Sequence, residues 1–343
     1  MEVCVKFHLT IAISLALLLA SCGPELMGRF VISTPQGGFA NRLRAMASAY
    51  AFAKQTNRIL IVKWRKEPKH MEGISNIEQI FQKNDSLYIS FDSLSPQQQI
   101  SLERKWKKFT ISAKREDVYD GAKELSDSND NIINIVSGAT FKPFGLEDKT
   151  YIKNIQEFYR RLKLNENLEN KVEAFKNSHF DAPAMVGVHY RSFTTGDADF
   201  GGTKDMTPIF VRTIKDIIAK NPATKFFLAT DSKEIKELLR SELGSDHIVT
   251  FSLGEVNRNS LSGLIDAVTE WYLLTKTDYI VGTYQSSFSD EAAHLTKEKR
   301  KINIGPTLYG SDAHSIICFD KLGHPFIRPD ESGDPCFGDS IAN

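Results

Sequence analysis

Short, unbroken apolar runs punctuate this chain: Arg29–Thr34, Ile59–Trp64 (ILIVKW), Met185–Val188 (MVGV), Lys225–Ala229 (KFFLA) and Asp278–Gly282 (DYIVG). Runs of this length predict strands buried on both faces, as in parallel sheets. Between them the apolar spacing widens to that of helices, over Ala40–Gln55, Asn154–Phe175, Pro208–Lys220, Lys233–Leu243, Leu264–Thr275 and Phe288–Leu295. Thr207 is expected to cap the third of these with Pro208 at its first position, and Ser287 with Asp290 to form a capping box on the last. Strand alternating with helix predicts an α/β chain with doubly wound parallel sheets. Residues 66–143 follow no clear period, so irregular loops and short helices are expected there, with strand candidates at Leu87–Phe91 and Ile132–Val136.

A length of 343 residues suits two domains. The expected division is an N-terminal Rossmann-like domain over 28–178, a C-terminal one over 179–318 and an irregular tail over 319–343. Basic and acidic residues balance at 43 each, giving zero net charge. No nucleic-acid partner is expected, and any anion site must be local. Cys4, Cys22, Cys318 and Cys336 include no CxxC, which argues against a zinc ribbon or thioredoxin-like motif. Cys318 and Cys336 are left open between a disulfide and two free thiols.

The N-terminus changes the picture of where the chain works. Lys6 and His8 precede an apolar run, Leu9–Ala20, and then Ser21-Cys22. The run is shorter than a membrane span of about 20 residues and fits the core of a signal peptide. Leu19–Cys22 also has the form of a bacterial lipobox with Cys22 as the lipidated residue, and a short uncleaved anchor is the third reading. All three place the remainder outside the cytosol, and residues 1–27 are set apart from the fold. Asn84-Asp85-Ser86 is a glycosylation sequon.

Candidate chemistry gathers where strands end. His189-Tyr190-Arg191 follows the MVGV strand, and an arginine there offers a planar fork of donors to a diphosphate or carboxylate. Asp231 ends the KFFLA strand, either capping the next helix or orienting a ligand. Hydroxyls from Thr283 to Ser289 lead into a helix start, a good cradle for phosphate. In the first domain the turn Pro35–Phe39 carries Gly37 and Gly38 between strand and helix, followed by Asn41 and Arg42. Asp197 and Asp199 form a DxD in a Gly-rich loop and read as solvated acids rather than metal ligands. His294 reads as structural.

Taken together, four stretches resemble the GDP-fucose-dependent fucosyltransferases, the superfamily of protein O-fucosyltransferases, α1,6-fucosyltransferases and the rhizobial nodulation fucosyltransferase. They are Gly37–Trp64, Gly187–Arg191 (GVHYR), Phe226–Ser232 (FFLATDS) and Glu270–Ser289. The resemblance implies a GT-B-like architecture, two Rossmann-type doubly wound domains facing a cleft, and an inverting transfer of fucose from GDP-fucose to a glycan or glycoprotein acceptor. It implies Arg191, His189 and Asn41 as catalytic residues, with Arg191 neutralising the leaving diphosphate. It implies Arg191, His189, Asp231, Glu270, Ser286 and Ser287 around the donor, Glu270 accepting from guanine. Gly38, Phe39, Asn41 and Arg42 would line the acceptor cleft. No metal and no cofactor beyond the donor substrate is implied. A general base is not identified, although Asp197, Asp199 and Asp205 lie in a suitable loop.

Two positions depart from the family pattern. Ser192 stands where the α1,6 and nodulation enzymes carry a second basic residue, and Arg42 stands where many O-fucosyltransferases carry glutamine. The acceptor is left open accordingly. GDP-fucose points to the secretory pathway, in the Golgi lumen or membrane, with membrane association through the N-terminus. The alternatives are a transferase for another nucleotide sugar and a non-catalytic glycan-binding surface lipoprotein of the same fold.

Overall fold

The computed structural model describes residues 26–68, 70–111, 123–192, 206–251, 260–283 and 286–304, and the backbone course of 315–319 and 325–329. The signal or lipobox segment, the loop carrying Asp197, Asp199 and Asp205, and Cys336 lie outside the described residues. The chain forms two compact units, one up to Asn165 and one from Glu166.

The first unit runs β1 (Phe30–Pro35), α1 (Phe39–Gln55), β2 (Ile59–Val62), β3 (Ile89–Ser90), α2 (Pro96–Lys105), β4 (Lys107–Ile111), β5 (Ile132–Ser137) and α3 (Asp148–Arg161). Its strands pair in the order β3-β2-β1-β5-β4, all parallel. α1 is buried nearly all round. Its small Ala side chains let it lie close to the sheet while α3 covers its outer side through Tyr50 Oη to Glu157 at 2.6 Å and Ser48 Oγ to Tyr151 Oη at 3.1 Å. A core of Phe30, Ile32, Ile61, Phe91, Leu102 and Ile132 has Trp106 packed against it. Each such side chain contributes about 1.5–3 kcal/mol by leaving water.

The helix expected over 154–175 is two helices, α3 and α4 (Glu166–His179). The segment between them bonds back into the first unit, with Gln82 N donating to Lys163 O at 2.9 Å and Asn165 N to Ile80 O at 2.8 Å. Beyond it α4 joins the second unit through Lys171–Asp266 at 2.9 Å and Lys276–Glu173 at 2.8 Å. The units therefore divide before the expected 178/179 boundary.

The second unit continues with β6 (Ala184–Tyr190), α5 (Thr207–Lys220), β7 (Thr224–Thr230), α6 (Lys233–Leu243), β8 (Ile248–Val249), α7 (Leu261–Thr275), β9 (Tyr279–Thr283), α8 (Ser287–Ala293) and β10 (Lys301–Ile304). The parallel order is β10-β9-β6-β7-β8. The chain winds outward from β6 to β8, then returns to β6's other side with β9. That reversal opens a crevice at the carboxyl ends of β6 and β9, where ligands settle in such sheets. Among the described residues no helix is long and apolar enough to cross a membrane.

Several local expectations differ from the structure. Met206, not Thr207, is the N-cap of α5 and makes no side-chain cap bond. Thr207 Oγ1 meets Tyr190 Oη at 3.1 Å instead. Ser286 is the N-cap of α8, without a side-chain cap bond, so the Ser287–Asp290 box does not form. Asp290 is drawn away to Lys301 at 2.6 Å. Beyond residue 319, where irregular chain was expected, β11 (Ser315–Phe319) pairs antiparallel with β12 (Pro325–Pro329).

Candidate functional site

The second unit's site begins with why β6 and β9 lie so close behind it. Gly187 has no side chain because a Cβ there would meet Thr277 Oγ1 at 2.9 Å and Leu274 Cδ2 at 3.0 Å. Gly282 likewise leaves room for Ser289, whose Oγ would lie 2.8 Å from an added Cβ. Parallel register sets His189 opposite Ala229 on one side and Gly282 on the other. With glycine in that slot, His189 Nδ1 reaches Ser289 Oγ at 3.1 Å. The imidazole stacks on Phe288, with centroids 4.9 Å apart.

The imidazole is buried, and burial first, then Lys301 and Arg191, hold its pKa well below the usual 6.5. It is therefore neutral at physiological pH.

Just past β6 the backbone is fixed on both sides. Arg191 N donates to Thr283 Oγ1 at 2.9 Å, and Ser192 N donates to Asp231 Oδ1 at 2.9 Å. The other carboxylate oxygen, Oδ2, takes the Arg191 guanidinium in an ion pair. Both side chains keep some solvent access, 16% for Arg191 and 23% for Asp231. Ser232 rather than Asp231 caps α6, accepting from Ile235 N at 3.2 Å. Asp231 is thus left to orient the arginine.

Lys301, fully buried, donates to Thr283 O at 2.8 Å and to Asp290. Ser286 is 8% exposed at the start of α8. The end of the sheet brings His189, Arg191 and Asp231 together with Thr283, Ser286, Ser289 and Lys301, and Ser287 opens α8 beside them; of these, Lys301 lay outside the stretches that the sequence pointed to. The TYQSSFS stretch held a signal for Ser289, three residues after Ser286; Lys301 offered none. This arrangement can meet an anion with one oriented guanidinium and hydroxyls, on a base of balanced charge.

Glu270, expected to contact guanine, is instead enclosed and paired with a lysine. It is 3% exposed on α7, with Oε1 3.2 Å from Lys236 Nζ, itself fully enclosed. Burial raises its pKa to about 7 against the opposing pull of Lys236.

In the first unit, Gly37 takes φ +77°, a conformation natural to glycine. Gly38 sits at the N-cap of α1, partly exposed, with Asn41 one turn on. The expected cleft residues Phe39 and Arg42 are instead buried. Phe39 stacks on Phe81 at 6.2 Å. Arg42 is 0% exposed and donates to Gly37 O at 2.9 Å, Arg65 O at 2.8 Å and Glu67 at 3.1 Å. It lies over the Trp64 ring at 4.7 Å. Burial lowers its pKa to about 10, with Glu67 opposing, so it stays charged. It is a strut between two loops.

Among the described residues no group of three or more His, Cys, Asp or Glu could hold a metal ion.

No model of a known protein family matches this chain, and no curated protein matches it in sequence. Solved structures match it in fold. The fucosyltransferase NodZ from Bradyrhizobium aligns with a TM-score of 0.55 at 20% identity, over 89% of this chain and 99% of that one. The NodZ alpha-1,6-fucosyltransferase soaked with GDP-fucose gives a TM-score of 0.56 at 20% identity, over 88% and 99%. A point mutant of Arabidopsis thaliana FUT1 in complex with GDP gives 0.54 at 14% identity, over 86% and 74%. POFUT1 in its apo form gives 0.55 at 14%, over 81% and 98%. By fold, this chain is a GT-B-like α/β protein built from two Rossmann-type units.

Proposed function

We propose that the chain is an inverting glycosyltransferase that moves fucose from GDP-fucose to a glycan or protein hydroxyl. The observation that carries this reading is Arg191, oriented by Asp231 at the switch point of a parallel sheet. Its fold resembles that of a NodZ fucosyltransferase soaked with GDP-fucose.

The acceptor oxygen attacks the anomeric carbon as the bond to the β-phosphate breaks; GDP leaves, and the acceptor hydroxyl's proton passes to solvent. Negative charge grows on the leaving diphosphate, so a donor already aimed at that position lowers the barrier most. Arg191 supplies it, Asp231 holds its plane, and Ser286 with Ser287 binds phosphate oxygens. Neutral His189 lies beside the donor without adding charge, and Asn41 serves the acceptor side. In this reading a fixed guanidinium does the work a divalent ion does elsewhere. The N-terminal apolar run supports work in the secretory pathway, with the Golgi lumen as the compartment that holds the donor.

A second reading, another nucleotide sugar as donor, is favoured by one observation: Glu270, expected to recognise guanine, is enclosed with Lys236. Calorimetry with GDP, GDP-fucose, GDP-mannose and UDP, with and without EDTA, separates the two for wild type and Arg191→Ala. Guanine-selective binding that survives EDTA and drops in the variant is the expected result. Equal binding of UDP supports the second reading, and no nucleotide binding by folded protein defeats both.

A further inference from the structure

The first unit has a hollow of its own, about 230 Å³, on the sheet face that carries α2. Its floor follows from register. Lys108 of β4 pairs with Asn134 of β5, and Thr34 of β1 pairs with Val136 of β5. Register partners in a parallel sheet share a face, and Asn134 and Val136 lie two apart on one strand, so all four side chains stand on the same side. Pro35 and Gln36 at the end of β1, Arg65 and Lys66 beyond the end of β2, and Trp106 before β4 complete the wall.

Three cations in so small a space call for anions, and the nearby carboxylates are committed elsewhere. Glu67 serves Gly37 N at 2.7 Å and Arg42 at 3.1 Å. Glu103 pairs with Lys63 and lies 3.9 Å from Arg65. Lys66 and Lys108 have no acidic partner among the described residues.

Asn134 supplies the second, independent sign. It is 3% exposed and lines the hollow. Its Oδ1 accepts from Thr34 Oγ1 at 2.8 Å, and its amide nitrogen donates to no other described residue. That nitrogen is not sealed off, since Asn134 lines the open hollow, and it stands there as a donor that a ligand oxygen can reach.

We infer that this hollow binds a sugar unit bearing a carboxylate or sulfate, the negative group lying between Lys66 and Lys108 and a ring oxygen or hydroxyl accepting from Asn134. The taking of the ligand as a saccharide rests on the glycosyl-transfer reading; its charge rests on the hollow alone. A nucleic acid would need a broad basic face, which a chain of zero net charge does not supply. The indole of Trp106 gives the apolar wall that a pyranose ring packs on.

The test titrates the full chain, at fixed ionic strength, with a sulfated disaccharide, a uronate-containing disaccharide, their neutral parent and inorganic sulfate. GDP binding is measured on the same samples. The variants are Lys66→Ala/Lys108→Ala, at two exposed positions, and Asn134→Asp, which keeps the shape and adds repulsion.

The expected result is that at least one charged disaccharide binds roughly tenfold more tightly than the neutral parent, and that the double variant removes that advantage. Inorganic sulfate should compete weakly. The sulfated and uronate arms tell which group the hollow takes. Equal binding of the neutral parent, unchanged binding by the double variant, or no saccharide binding overturns the inference. The GDP arm shows whether the proposed function falls with it or stands alone.

Discussion

Arg42 holds the carboxylate of Glu67 at 3.1 Å, and that same oxygen accepts from Gly37 N at 2.7 Å. The pair thus closes the glycine turn after β1 onto the loop after β2, and Arg42 donates to a backbone oxygen of each. Replacing Arg42 by alanine strands Gly37 O, Arg65 O and Glu67 together. A loss of about 2–4 kcal/mol is expected, short of a fully buried pair because Glu67 keeps partial solvation. Arg42→Lys, which keeps charge but not the fork, should recover only part. Urea unfolding measures this; a loss below about 0.5 kcal/mol for the alanine variant would place Arg42 outside the scaffold.

For Arg191 the expectation concerns rate. Removing one positioned donor to a developing oxyanion typically costs about 100- to 1,000-fold in kcat. Arg191→Lys should not rescue it, since the ammonium cannot match the planar pairing with Asp231. Asp231→Asn should keep the protein folded and raise the donor's KM by loosening the guanidinium. Steady-state kinetics with GDP-fucose reads both, and full activity in Arg191→Lys would contradict the role assigned to the fork.

Glu270 gives a signed dependence on pH. Its folded pKa, about 7, exceeds the ordinary 4.5. The folded state then holds more protons than the unfolded state between those values, so this group's contribution to stability is full below about 4.5 and is lost as pH rises through 7. Glu270→Gln should flatten that part of the curve. Urea midpoints taken across this range in both proteins decide it, and parallel curves would mean that Glu270 does not titrate there.

His189 runs the other way. Its folded pKa lies well below 6.5, so the stability it contributes is present above 6.5 and is lost as pH falls toward the folded value. Histidine-selective NMR should show this ring unprotonated from pH 6 to 8. A midpoint near 6.5 for His189 would show the ring to be solvated.

Gly282→Ala should act on the same ring at a distance. The new Cβ would lie 2.8 Å from Ser289 Oγ and 2.9 Å from Lys301 Cε. Overpacking of this kind costs about 1–3 kcal/mol. It should also shift the His189 resonance, because Ser289 must move. An unshifted ring at native stability would mean the slot has slack.

The strands were legible in the chain because ILIVKW, MVGV and KFFLA are short apolar runs. Helix α2 was not, since PQQQISLERK buries only Leu102 and has no apolar stripe to read. Its Ser95–Gln98 capping box was the available signal. β4 begins with two exposed lysines, as an edge strand does, and β10 begins with a lysine whose burial Asp290 and Thr283 O help to offset. Arg42 and Glu270 were misplaced for one reason. A charged residue in a motif suggests a ligand, while the partner that neutralises it, Glu67 or Lys236, lies 25 or 34 residues away.

Arg42 grips residue 65 by its carbonyl oxygen and leaves that residue's side chain out of the grip. Frame and lining are thus separable by design: one is written in backbone atoms, the other in the side chains of Arg65, Lys66 and Lys108. Exchanging those three amounts to changing the bit in a fixed chuck, and a panel of such exchanges could redirect what the first unit accepts without rebuilding the turn beneath it.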